Sequence, residues 1–159
     1  MTVQSPRNAA SNPPPRIIEV SAGLIFKEGR LLITQRMHGS HLAGKWEFPG
    51  GKREAGETFE QCLVRELREE LGVETEVGQL IESLTHDYPE KTVHLRFFRC
   101  RLVRGEPRPI GCAACKWVTP ETLAGHDFPG ADARLLDILA NTPALWTDPG
   151  PRIGVGAGG

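Results

Sequence analysis

The chain has 159 residues, of which 39% are hydrophobic and 25% charged, with a formal net charge of −1. This length suffices for one domain with a real core. The near-neutral charge excludes any global attraction to nucleic acid or membrane, so an anionic ligand has to be held by a local site. No apolar run approaches the roughly 20 residues that span a bilayer. The opening MTVQSPRNAASNPPPR lacks the apolar core of a signal peptide, so a cytoplasmic protein is expected.

Residues 1–15, rich in Pro, Ser and Asn, read as a disordered arm. A compact domain is expected over 16–141. A flexible Pro/Gly-rich tail follows over 142–159, with Leu145 and Trp146 as candidates for docking. Within the domain, β-prone runs at 17–26 and 30–35 flank Lys27-Glu28-Gly29, which predicts a hairpin. A long loop then runs from Arg36 to Glu57. Thr58 with Gln61 three residues later fits a capping box, so a helix starts near Thr58, and Gly72 ends it in a left-handed cap. Phe59, Leu63, Leu67 and Leu71 recur every four residues as its buried stripe. Strands are expected over 76–84, 92–103 and 116–118. Thr119-Pro120-Glu121 marks a helix entry with Pro at a tolerated position, and 131–140 is a second substantial helix. Strands before, between and after two helices give an α/β domain, with a mixed sheet and helices on both faces.

The first helix carries Glu66, Glu69 and Glu70 at spacings where like charges destabilise a helix by roughly 0.2–0.5 kcal/mol per pair. At 100° per residue they border the apolar stripe instead of opposing it, and a solvated charged face normally lies opposite the core. Arg65 can pair with Glu69, but one arginine cannot neutralise three acids. The residues alone leave two readings open, a wet face or a site for a hard divalent cation such as Mg²⁺, which binds a few carboxylates together with substrate phosphates. Gly50-Gly51 ahead of the helix allows close backbone approach. Cys112 and Cys115 form a CxxC, yet one such pair supplies two of the four ligands a zinc ion needs, so two small loop residues is the reading kept.

Gly51, then five residues, Glu57, seven more, and finally Arg65-Glu66-Leu67-Arg68-Glu69-Glu70-Leu71-Gly72-Val73 resembles the 23-residue signature box of the Nudix hydrolases at every specified position. The likeness extends over 17–140. Gln35-Arg36, His41, Lys45-Trp46-Glu47-Phe48-Pro49-Gly50-Gly51, Asp87-Tyr88-Pro89-Glu90-Lys91, Trp117-Val118 and Phe128-Pro129-Gly130-Ala131-Asp132 are similar to the MutT branch. The resemblance implies an α/β/α sandwich with the box helix packed on a mixed sheet. It implies hydrolysis of a nucleoside triphosphate to monophosphate and pyrophosphate, with nucleotide-pool sanitation as the role. It also implies Mg²⁺, or Mn²⁺, held by the Gly50 carbonyl, Glu66, Glu69 and Glu70, with Glu66 helping to activate water. Glu57 would pair with Arg65 to brace the loop, and Arg36 and Lys52 would contact phosphate. Asp132, Tyr88 and Lys91 would form the base pocket. The partner implied is a small nucleotide, without direct nucleic-acid or membrane binding, in a monomer or homodimer.

Two positions depart from the branch. Where it usually carries a glutamate six residues before the tryptophan, this chain has Gly111; Glu106, His86 or His94 are the candidates to replace it. Where the branch specific for 8-oxo-dGTP has asparagine, this chain has Asp132. An ionised carboxylate only accepts hydrogen bonds, which favours amino-bearing bases and resembles the CTP or 5-methyl-dCTP enzymes; a protonated Asp132 would also donate and recover oxidised guanine. An N-cap role for Asp132 is compatible with either. Alternatives are another nucleoside diphosphate derivative such as ADP-ribose, and a nucleotide sensor with slow turnover.

Overall fold

The computed structural model describes residues 16–147. The expected N-terminal arm and the end of the tail lie outside the described residues. Seven strands, β1 (Arg16–Lys27), β2 (Arg30–Gln35), β3 (Trp46–Glu47), β4 (Gly50–Lys52), β5 (Glu74–Asp87), β6 (Lys91–Arg104) and β7 (Ala114–Val118), form one mixed sheet. Helix α1 (Phe59–Leu71) covers one face; α3 (Ala133–Ala140) and α4 (Ala144–Thr147) cover the other, with a single-turn α2 (Pro120–Leu123) after β7. The α/β/α sandwich is as expected. No helix among the described residues is long and apolar enough to cross a membrane.

The predicted hairpin closes on Glu28 and Gly29, both at positive φ (54° and 76°), with Lys27 facing Arg30. That is the primed geometry a two-residue connection needs. β1 and β2 stay paired only there. β1 runs parallel to β6 from Arg16 to Phe26, while β7 takes the other side of β2. The opening between β1 and β2 is filled by two short strands, β4 on Val20–Ala22 of β1 and β3 on Thr34–Gln35 of β2. The stretch 36–57, expected to be a loop throughout, therefore contains these two strands, and their two and three residues are too few to show an alternating pattern.

Helix α1 forms as its signals predict. Thr58 accepts from the Gln61 amide while the Gln61 side chain accepts from the Thr58 amide, and Gly72 ends the helix at φ 73°. Leu63, Leu67 and Leu71 are buried against Ile25, Leu32 and Phe98, and Cys62 is buried as well; Phe59 is only half-buried. On the other face Leu135 and Leu139 of α3 pack on Leu24, Phe26 and Phe97. The helix predicted over 131–140 begins as a 3-10 turn, Gly130–Asp132, and becomes α-helical at Ala133.

The compact unit extends past its expected end at Asn141. Leu145 and Trp146 are buried, the Trp146 indole N–H donates to the Leu139 carbonyl at 3.0 Å, and buried Arg99 donates to the Leu145 carbonyl at 2.7 Å. Docking of this pair is expected from its apolar character; the Pro and Gly around it hide the short helix that carries it.

Candidate functional site

A cleft of about 460 Å³ occupies the opening between β1 and β2. Its floor at one end is the Gly50-Gly51 backbone, which β4 holds against β1 by pairing Gly50 with Ala22 and Gly51 with Ser21. A Cβ at Gly50 would overlap the Ser21 carbonyl oxygen, and one at Gly51 would overlap the Glu66 carboxylate. Both glycines are needed for close approach: Gly50 brings the loop onto the strand, and Gly51 leaves the space that the Glu66 carboxylate fills.

The acidic end is built by α1. Glu70 reaches the cleft and accepts from the Gly50 amide at 3.2 Å; burial and then the neighbouring Glu47 push its carboxyl up to about 8. Burial also raises Glu66, against the pull of Arg65 at 3.1 Å. Glu69 stands outermost, its side chain 61% exposed and 3.3 Å from Arg65. Arg65 lays its fork on Glu57, at 2.7 and 3.1 Å, and donates to the Lys52 carbonyl, so the expected brace between helix and loop is present. The Arg65 hydrogen bonds hold Glu57 down at about 2. Lys52 lines the cleft and is exposed.

The four expected ligand residues do not close into a cage. No group of three His, Cys, Asp or Glu among the described residues converges closely enough to hold a metal ion. Of the three glutamates, Glu66 and Glu69 turn towards Arg65 and Glu70 lines the cleft. The donor chemistry nevertheless fits a hard cation. Carboxylates raised by burial and mutual repulsion, beside a backbone able to offer a carbonyl, are short of positive charge. Cys112 is buried at the cleft wall, pushed up to about 12 by burial and Glu70, and belongs to no group able to bind zinc among the described residues.

Arg36 lines the cleft, with Nη1 2.8 Å from Glu47 and Nε donating to the His41 carbonyl. Glu47 is the residue that the sequence reading missed as a site group. It lines the cleft, and burial raises it despite Arg36. The signal was present in Trp46-Glu47-Phe48, since a carboxylate between two aromatics is drawn towards the core, where it needs a cation. The candidates to replace the glutamate missing at Gly111 are placed elsewhere: His86 packs on Tyr88, His94 bonds Thr85 on the sheet surface, and Glu106 is exposed outside the cleft.

The other end is apolar. Phe48 stacks on Phe128 with centroids 5.1 Å apart and meets Phe97 edge-on at 6.0 Å. Tyr88 lines the cleft, but Lys91 does not; its ammonium lies 5.4 Å from the Tyr88 ring centre, so it supports the wall instead of bounding the pocket. Asp132 closes this end. It is 7% exposed and raised to about 6, first by burial and then by Glu47. Although at the N-cap position of α3, its side chain makes no capping bond, which corrects that reading.

Residues 21–137 match the NUDIX domain model. The chain is 40% identical over 127 residues to an 8-oxo-dGTP diphosphatase of Haemophilus influenzae, spanning 79% of this chain and 93% of that protein. It is 38% identical over 122 residues to a CTP pyrophosphohydrolase of Escherichia coli K12, spanning 77% and 90%. The solution structure of the E. coli ORF135 protein aligns with a TM-score of 0.70 and 34% identity, covering 88% of this chain and all of that one. With the Gly51-to-Val73 box folded as a glycine strand facing an acid-edged helix, the chain belongs to the Nudix family.

Proposed function

We propose that the protein is a divalent-cation-dependent pyrophosphohydrolase of the MutT type, which cleaves a nucleoside triphosphate to the monophosphate and pyrophosphate and so serves nucleotide-pool sanitation. One observation carries this reading: a single cleft joins an acidic end at Gly50 and Glu70, with Arg36 and Lys52 in its lining, to an apolar end closed by a buried, uncapped Asp132. Triphosphate and base would occupy the two ends. Nudix hydrolases generally need a divalent metal. Here the Gly50 carbonyl with Glu66, Glu69 and Glu70 would hold Mg²⁺, or Mn²⁺ as another hard cation. Bound there, the metal supplies Lewis-acid polarisation, charge neutralisation and a more acidic water.

The chain's own groups do the rest. Arg36, steadied by Glu47 and His41, and Lys52 contact phosphate oxygens. Glu66, held beside Gly51 and within 3.1 Å of Arg65, takes the proton of the attacking water on a carboxylate oxygen. Glu57 and Arg65 fix the loop that carries Gly50 and Gly51. Phe48 and Tyr88 flank the base.

Asp132, titrating near 6, is mostly ionised at pH 7 and accepts only, which favours the amino group of CTP, dCTP or 5-methyl-dCTP. Its raised pKa also supports a second reading, 8-oxo-dGTP, because the protonated form both donates and accepts. Pyrophosphate release from 8-oxo-dGTP, CTP, dCTP and 5-methyl-dCTP, with ADP-ribose in the panel for phosphate-ester products, tests the assignment. Activity requires Mg²⁺ and falls by orders of magnitude in Glu69→Gln. An absence of turnover, or a Glu69→Gln variant as active as the parent, sinks the reading; tight binding without turnover replaces it with a sensor. Asp132→Asn moves the preference towards oxidised guanine, and an unchanged profile retires the base-reading role.

A further inference from the structure

Asp132 stands at the start of α3, and nothing local fixes its side chain. Its backbone amide donates to Pro129, but its carboxylate makes no bond to the first turn of the helix. Two residues later comes Arg134, a cation in the first turn, where the helix dipole disfavours positive charge. The side chain is 77% exposed, so packing does not require an arginine there. Its Nε lies 2.6 Å from Oε2 of Glu82 on β5, a side chain only 10% exposed. That oxygen has no well-aligned hydrogen bond among the described residues, so the guanidinium charge is what compensates it.

Glu82 is brought there by a bulge. Leu80 faces Phe98 and Glu82 faces Phe97, so Ile81 is an extra residue in β5. Phe97 lines the cleft, and facing residues of paired strands share a side of the sheet. The ion pair therefore ties the first turn of α3 to the strand pair behind the base end of the cleft. The far end of α3 is tied separately, through Trp146 to Leu139.

We propose that the Glu82–Arg134 pair is a positioning device: it sets where Asp132 sits in the cleft and, through Asp132, the base preference. The proposal rests on the nucleotide reading of the cleft. Arg134 touches no substrate and acts only through the helix start it anchors. Loss of the pair leaves the acidic end, carried by α1 and β4, in place.

The test compares kcat and KM on dCTP and 8-oxo-dGTP for the parent, Arg134→Ala, Arg134→Lys, Asp132→Ala and the Asp132→Ala/Arg134→Ala double variant. Arg134→Ala shrinks the ratio of kcat/KM between the two nucleotides by about tenfold, through KM, and leaves kcat on the better one within about twofold. Arg134→Lys, which keeps the cation, retains the ratio. In the Asp132→Ala background, Arg134→Ala changes the ratio no further, as expected of groups acting through one carboxylate. If Arg134→Ala does not fold, Glu82→Gln/Arg134→Ala, which leaves no buried charge alone, carries the same expectation. An unchanged ratio, or a further change in the Asp132→Ala background, overturns the proposal while the nucleotide reading stands. A parent that turns over no nucleoside triphosphate overturns both.

Discussion

Glu70→Gln should stabilise the metal-free protein while abolishing its activity. The Glu70 carboxyl titrates near 8 in the fold against 4.5 ordinarily, because burial and Glu47 oppose its charge. An acid raised in this way costs nothing below its unfolded value, where both states are protonated. Between 4.5 and 8 the unfolded chain releases the proton that the folded chain retains, so stability falls as pH rises through that window. At 1.36 kcal/mol per pH unit, the loss is under about 1 kcal/mol at pH 5, about 3 kcal/mol at pH 7, and levels off near about 5 kcal/mol above pH 8. A glutamine has no charge to oppose, and its oxygen can still accept from the Gly50 amide. Urea denaturation of parent and variant in EDTA, at pH 5, 6, 7 and 8, measures the difference, in which titrating groups remote from Glu70 cancel. The expected gap favours the variant and widens with pH. Added Mg²⁺ then stabilises the parent and leaves the variant almost unmoved. A gap that is absent, or the same at pH 5 and pH 8, refutes the account of Glu70 as a carboxylate waiting for a cation.

Gly51→Ala places a methyl where the Glu66 carboxylate now lies; turnover should drop at least ~100-fold, the scale of a misplaced reacting group, with an unchanged circular dichroism spectrum. Preserved turnover would remove Glu66 from the chemistry. Trp146→Ala deletes a buried indole, its bond to Leu139 and its edge-on contact with Phe26 at 5.4 Å, a loss of about 3–5 kcal/mol by urea denaturation. A loss below about 0.5 kcal/mol would mean that α4 is not part of the folded unit.

Most of the fold was legible because its signals are local. The Thr58–Gln61 capping box, the four-residue stripe and Gly72 each act within one turn of α1, and the structure contains each of them. The acidic end was legible for a related reason: the helix period alone places Glu66, Glu69 and Glu70 beside the stripe. Their orientation was not, since Arg65 takes two of the three side chains, and no rule of spacing decides that competition. Glu47 was missed because β3, with two residues, is too short to reveal that its carboxylate turns into a cleft. At Asp132 the local rule gave the wrong weight. An aspartate before a helix predicts a cap, yet burial against the cleft leaves its side chain without one. Lys91 lies behind Tyr88, the side chain that reaches the cleft.

The opening between β1 and β2 has a consequence for how such a protein can change. Its acidic end hangs from α1 on one face of the sheet, and the end closed by Asp132 from α3 on the other. The two helices meet only through the strands between them. If Asp132 reads the base as proposed, substitutions around it can retune which nucleotide is chosen without passing through the residues of α1. On that proposal, divergence in substrate becomes a matter of one helix start and one β-bulge, while hydrolysis is inherited intact.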